Sequence, residues 1–201
     1  MNKFKILNDG LIINKISKTY GNKEVIRDIS KIVKGPISAE VTTKNFEDMV
    51  SQGLELAKIA HNIVVKVPLT EQGLRACKEL SNRNIKVNVT LCFSSSQALL
   101  AAKMGASYIS PFIGRLDDIS HDGLDLIRDI VKIYQNFKDY IKTQVLVASI
   151  RSPLQISKTA LMGAHVATIP PKIIKQMINH PLTDIGLESF MKDWGKTGQK
   201  F

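Results

Sequence analysis

Ile63-Val64-Val65-Lys66-Val67-Pro68 is an apolar run, rich in β-branched residues, with a single lysine near its C-terminal end. It is too short for a helix and its composition favours extended backbone, so it reads as a buried strand. Thr70 and Glu71 follow, then apolar residues at helical spacing as far as residue 82, which makes a strand-then-helix unit. The unit recurs in both directions. Apolar runs at 10–14, 36–42, 85–91, 107–110, 144–149 and 165–169 alternate with patterned stretches at 46–60, 71–82, 95–104, 124–134, 152–162 and 171–179. Such alternation marks an α/β protein with a parallel sheet and crossover helices.

The punctuation agrees. Thr70 before Glu71 and Ser152 before Pro153 suit helix starts, while Gly105 and Gly163 close helices ahead of the next strand. No linker or low-complexity tract divides the 201 residues, so a single domain is expected. Seven evenly spaced strands fit a (β/α)8 TIM barrel whose first strand-and-helix unit is shortened or missing, or else an open doubly wound sheet. No Gly-x-Gly-x-x-Gly phosphate loop follows any strand, which favours the barrel. A further strand at 3–7 would reach the run at 10–14 after only two residues, too few for a crossover helix.

Composition narrows the function. A net charge of +10, from 28 basic and 18 acidic residues, is compatible with nucleic acid, anionic membranes or phosphorylated small molecules. The basic residues form no compact run and carry few aromatics, so a solvated lysine-rich surface accounts for the excess and no nucleic-acid partner is expected. No apolar stretch approaches the ~20 residues that span a bilayer. Met1-Asn2-Lys3-Phe4-Lys5 also lacks the apolar block of a secretory signal, so a cytoplasmic protein with no membrane partner is expected. Cys77 and Cys92 are too few for a disulfide framework, and His61, His121, His165 and His180 lack ligand spacing, so no metal is expected.

Lys66 is the odd residue of its strand. In a barrel, the C-terminal strand ends are where the chemistry gathers. Burial there would favour the neutral amine, which attacks ketone carbonyls. The alternative is a lysine paired with a carboxylate and doing nothing more. Glu40, Thr90 and Ser149 likewise end apolar strands. Each has a bland reading, as a surface acid or a helix cap, yet a barrel would bring all four to one mouth. Ser110-Pro111-Phe112-Ile113-Gly114-Arg115-Leu116-Asp117-Asp118 ends another strand with a turn that sets Arg115 at the same face. Arg115 suits a bidentate grip on phosphate, or a salt bridge to Asp117 or Asp118. Arg151, at the start of a helix, is a second candidate grip.

Val64-Val65-Lys66-Val67-Pro68, Asn88-Val89-Thr90-Leu91, the run from Ser110 to Asp118, Ala148-Ser149-Ile150-Arg151 and His180-Pro181-Leu182-Thr183-Asp184-Ile185-Gly186, in this order, resemble the short transaldolase family that includes fructose-6-phosphate aldolase. The resemblance runs from about residue 32 to the C-terminal end. It implies a barrel enzyme that moves a dihydroxyacetone unit from sedoheptulose 7-phosphate to glyceraldehyde 3-phosphate in the pentose phosphate pathway, without metal or organic cofactor. By the same resemblance Lys66 is the Schiff-base lysine, Glu40 the carboxylate relaying protons through a water, and Thr90 the hydroxyl holding that water. Arg115, Ser149 and Arg151 fall on phosphate-binding positions and Phe112 on a substrate-lining one. The aldolase branch carries glutamine in place of Glu40 and tyrosine in place of Phe112, so the chain sides with the transfer branch. The family usually forms pentamers or decamers, with the C-terminal helix around Phe190 and Trp194 against a neighbour, and a homo-oligomer is expected.

The first 31 residues depart from that pattern. Family members open with a strand ending in aspartate and a helix, then a strand carrying Thr-Thr-Asn-Pro. The counterpart here is Ile12-Ile13-Asn14-Lys15, which keeps Asn14 alone as a substrate contact. No residue replaces the aspartate, the group expected to handle the substrate hydroxyl proton, and losing a positioned acid/base costs roughly 10²- to 10⁴-fold in rate. Slowed transfer, a weakly active or inactive homologue, and fructose-6-phosphate aldolase activity therefore stay open as outcomes. A barrel one strand short also exposes two sheet edges, unless 3–7 or a neighbouring subunit fills the place.

Overall fold

The structure, a computed structural model, describes residues 23–200. The strands expected at 3–7 and 10–14, and Asn14 with them, lie outside the described residues. In chain order the elements are α1 (Lys23–Ile32), β1 (Ile37–Glu40), α2 (Phe46–Ala57), β2 (Ile63–Pro68), α3 (Glu71–Asn82), β3 (Val87–Cys92), α4 (Ser95–Lys103) and β4 (Tyr108–Pro111). There follow α5 (Ile113–Asp117), α6 (Gly123–Asn136), β5 (Gln144–Val147), α7 (Pro153–Leu161), β6 (Val166–Ala167), α8 (Pro171–Ile178) and α9 (Pro181–Lys196).

The six strands are all parallel and pair strictly in sequence order, β1-β2-β3-β4-β5-β6. A doubly wound sheet reverses its order at a switch point, so this sequential order selects the barrel topology. The sheet curls: Ser38 and Glu40 of β1 line the same cleft as Thr168, the residue just beyond β6. The array is a partial (β/α)8 barrel among the described residues.

Alternation along the strands separates two faces. Val65, Val67, Val87, Val89, Ile109, Val145 and Val147 point outward into the main core, where they meet Met49 of α2, Ala76 and Leu80 of α3, and Ile127 and Ile130 of α6. Ile37, Ala39 and Ile63 form a smaller cluster with Ile26, Ile29 and Val33. The opposite face carries Ser38, Lys66, Asn88 and Ser110, a polar interior that becomes the site.

Helix ends follow the sequence punctuation. Thr70 Oγ1 accepts from Gly73 N at 3.0 Å, and Ser152 Oγ from Gln155 N at 3.3 Å. Gly105 and Gly163 adopt φ of +86° and +88°, the left-handed geometry that closes a helix at low cost. Three differences from the sequence reading appear. The turn expected after Pro111 is a short helix, α5, whose first amides are anchored by the carbonyls of Ala148 and Ser149, while Ile113 and Leu116 are buried. Helix α1 was not expected, because its apolar residues fall within a strongly charged stretch. The last strand shrinks to Val166–Ala167 because only those two residues pair with β5.

Helix α9 buries none of its residues, and Leu182, Ile185, Leu187, Phe190 and Met191 are all exposed. No helix among the described residues is long and apolar enough to cross a membrane.

Burial pushes the Cys77 thiol up to about 11 and the Cys92 thiol up to about 12, from an ordinary value of 9.0. Above pH 9 the unfolded chain sheds these protons while the folded chain keeps them, so stability falls as pH rises toward 11. Replacing both cysteines by alanine is expected to flatten this slope in urea unfolding curves taken from pH 8 to pH 11. In the main core Ile109 is fully buried, so Ile109→Ala is expected to cost about 2–5 kcal/mol in the same assay, whereas Leu161→Ala, on an 88% exposed side chain, stays within about 0.5 kcal/mol.

Candidate active site

The parallel register sets Glu40 directly beside Lys66, and Lys66 beside Asn88. Lys66 Nζ donates to Glu40 Oε2 at 2.9 Å. The Lys66 side chain is 24% exposed and that of Glu40 43%, so the pair stands at the lip of the cleft and meets solvent. Of the two sequence readings of Lys66, the structure shows the one in which the lysine is paired with a carboxylate. The ammonium has its carboxylate, because neighbouring parallel strands project both side chains from one level. The two side chains are in direct contact.

Below the pair lies a hydrogen-bonded floor. Asn88 Nδ2 donates to Ser38 Oγ at 3.1 Å, and Ser110 Oγ donates to Asn88 Oδ1 at 2.8 Å. Asn88 and Ser110 are each only 1% exposed, so the network fixes the amide orientation. Ser38, Asn88, Ser110 and Thr168 were not singled out from sequence. Their signal was present in the period-two spacing of Ser38 with Glu40, Asn88 with Thr90, and Ser110 with Phe112, which puts each pair on one face of its strand.

Thr90 sits level with Pro68 and Ser110 in the register. It is wholly buried, and its Oγ1 has no hydrogen-bond partner among the described residues. A buried unpaired hydroxyl costs about 1–3 kcal/mol, which is the signature of a group reserved for a ligand or water. The strand breaks register immediately after it, and Leu91 takes φ of 61° in the left-handed region, an unusual state for leucine. Such bulges re-aim side chains beside functional sites.

The cleft is open, about 210 Å³, and is lined by Ser38, Glu40, Lys66, Asn88, Ser110, Phe112 and Ser149 among others. Phe112 packs edge-on against Phe93, with ring centroids 6.1 Å apart, and offers its face to Arg115, whose Cζ lies 4.9 Å from the ring centre. The guanidinium is thus held over an aromatic platform. It makes no salt bridge to Asp117 or Asp118, one of the two readings left open by the sequence.

Arg151 takes that partner instead. Its Nη1 and Nη2 meet Oδ1 and Oδ2 of Asp118 in a fork-to-fork pair. Hydrogen bonding to Arg151 holds the Asp118 carboxyl below the usual range, and the same bond holds the Arg151 guanidinium above its own. Ser149 lines the cleft with φ of 62°, and its carbonyl accepts from Gly114 N at 3.1 Å. A Cβ on Gly114 would stand 2.2 Å from that carbonyl oxygen, 2.7 Å from Arg151 Nε and 3.0 Å from Ser149 Oγ, so only glycine lets α5 approach the segment from Ser149 to Arg151.

The fold and this cleft define a parallel α/β-barrel protein with a lysine–carboxylate centre at the C-terminal ends of its strands. A match to the family described as Transaldolase/Fructose-6-phosphate aldolase spans residues 10–201, and the chain belongs to that family. A "Probable transaldolase" of Paracoccus denitrificans is 59% identical over 177 residues, covering 88% of this chain and 81% of the relative. Proteins of the same name from Parvibaculum lavamentivorans and Thermodesulfovibrio yellowstonii are 55% and 52% identical, covering 96% and 94% of this chain and 89% and 88% of those relatives. In fold alone, the chain is similar to the crystal structure of inosine 5' monophosphate dehydrogenase from Legionella pneumophila, with a TM-score of 0.57 and 15% identity over 77% of this chain and 49% of that one.

Gly114→Ala is expected to force α5 off Ser149 and Arg151. The outcome anticipated in thermal unfolding is a loss of about 1–3 kcal/mol, the usual cost of overpacking.

Proposed function

We propose that the chain is a transaldolase acting through a Schiff base on Lys66. The observation that carries this reading is the 2.9 Å contact between Lys66 Nζ and Glu40 Oε2 above a polar floor. A lysine must lose a proton before it can attack a carbonyl, and Glu40 is the base placed to take it. The freed amine adds to the ketone carbon of a sugar phosphate. Glu40, now protonated, returns its proton to the departing hydroxyl, which leaves as water with formation of the iminium. Cleavage of the adjacent carbon–carbon bond releases an aldehyde and leaves a three-carbon enamine on Lys66. That enamine adds to the acceptor aldehyde, and water then releases the new ketose.

Ser38, Asn88 and Ser110 are suited to hold the hydroxyls of the dihydroxyacetone unit, since they offer donors and acceptors in a fixed pattern beneath Lys66. Thr90, with its unpaired hydroxyl, is suited to hold the water that passes between Glu40 and the reacting carbon. In this reading Arg115, Ser149 and Arg151 bind the phosphate, which the position of Ser149 in the cleft wall supports, and donor and acceptor are taken to be sedoheptulose 7-phosphate and glyceraldehyde 3-phosphate. Phe112 adds no hydroxyl to the cleft wall, which supports transfer over simple aldol cleavage. The substrate hydroxyl proton freed during cleavage passes to water in the open cleft, and water returns a proton when the enamine adds to the acceptor aldehyde.

Borohydride reduction in the presence of fructose 6-phosphate is expected to add a covalent label to Lys66, read by peptide mass. A folded protein that stays unlabelled would falsify the reading. Glu40→Gln is expected to lower the transfer rate roughly 10²- to 10⁴-fold with the fold intact by circular dichroism.

A homo-oligomer, pentameric or decameric, forms part of the same proposal. The exposed Leu187, Phe190 and Met191 of α9 are the apolar surface that a second subunit would cover. Sedimentation is expected to show the oligomer for the native chain and smaller species for Phe190→Asp. A monomer in both would count against it.

A further inference from the structure

Two adjacent carboxylates close α5, and they are held differently. Asp117 is fixed from two sides, its Oδ1 accepting from Gly123 N at 3.0 Å and its Oδ2 from Gln155 Nε2 at 2.6 Å. Asp118 pairs through its side chain with Arg151, both oxygens meeting the guanidinium fork. The two side chains are half exposed, 51% for Arg151 and 50% for Asp118. Arg115 has no ion pair among the described residues. Next to the cleft residues Phe112 and Ser149 there are thus one guanidinium without an ion pair, which feels the charge of Asp118 at longer range, and one whose fork is already filled by that carboxylate.

Carboxylate and phosphate seek the same fork geometry. The Nε edge of Arg151 is turned against the backbone at Gly114, 2.7 Å from where a Cβ would stand, and Ser149 Oγ is 3.0 Å from the same point. The end of Arg151 that a phosphate would grip bidentately is thus the end that Asp118 holds. An anion arriving beside Ser149 gains that fork only by replacing the carboxylate.

This inference rests on the transaldolase reading and deepens it. We propose that Asp118 is an internal counter-ion that occupies Arg151 in the empty site and yields it to the substrate phosphate, so that Asp118 sets the affinity for phosphorylated sugars. The exposure of the pair makes the exchange inexpensive, because solvent-screened ion pairs are weak. Asp118 is available as competitor across the neutral range, since Arg151 holds its carboxyl in the charged form. Asp117 adds its charge to the surroundings of Arg151 but makes no hydrogen bond to it, because a backbone amide and Gln155 tie its oxygens to the frame.

The test is a double-mutant cycle read by calorimetric titration of inorganic phosphate into the full chain, with Asp118→Asn, Arg151→Gln and both together. Asp118→Asn is expected to tighten phosphate binding by about two- to fivefold, the range set by a screened ion pair, and to do so only when Arg151 is present. The KM for glyceraldehyde 3-phosphate is expected to fall in step. Weaker phosphate binding in Asp118→Asn would make Asp118 a support that positions Arg151, and an equal gain on the Arg151→Gln background would reduce the effect to net charge; either overturns the proposal, as does no change. Asp118→Ser serves as a second variant, with thermal unfolding confirming that each protein is folded. Borohydride labelling of Lys66 in the native chain separates the two claims. An unlabelled Lys66 with the expected phosphate cycle sinks the catalytic reading alone, and a labelled Lys66 with a flat cycle sinks the counter-ion alone.

Discussion

The level pairing of Glu40 with Lys66 across β1 and β2 is the constraint on which the site depends. Parallel strands in register carry side chains of equal height on the same face, so a carboxylate and an amine 26 residues apart in sequence become immediate neighbours. The neighbouring polar groups obey the same rule. Asn88 stands beside Lys66 and Ser110 beside Thr90, each by register rather than by any loop contact. A centre built on strands is held by the whole sheet, whose outward valines are locked into the helical layer. This is how polar groups stay aligned while the cleft above them remains open.

Much of this was legible in the sequence. The Ile63 to Pro68 run, its capped helix at Thr70 and the glycines after α4 and α7 fixed the repeating unit, because local backbone preferences and tertiary burial agreed there. Lys66 stood out as the only charge in its strand. The floor of Ser38, Asn88 and Ser110 was harder to see, since small polar residues in a strand pattern read as solvent-facing until the sheet is known to curl. Helix α5 was misread as a turn because two of its residues owe their helical geometry to carbonyls of Ala148 and Ser149, some thirty-five residues away in sequence. The partner of Arg151 was equally hidden: nothing local distinguishes Asp118 from Asp117, and only packing assigns one to a frame and the other to a fork.

The mouth of the barrel divides labour between strands and the segments that follow them. Strands β1, β2 and β3 supply the acid, the amine and the buried hydroxyl in turn, each set by strand register. The cations come from the segments that follow strands, Arg115 on the five-residue helix α5 and Arg151 beyond β5. Rigid groups suit bond-making, where small misplacements are costly in rate.

The strict β1 to β6 order carries a consequence for how the molecule is made. Each strand pairs with the one synthesised just before it, so every new pairing closes only the one crossover between neighbouring strands and the loop-closure part of its entropy cost stays low. As the polypeptide leaves the ribosome, each emerging strand finds its template already laid down, and the sheet can grow unit by unit without waiting for a distant segment.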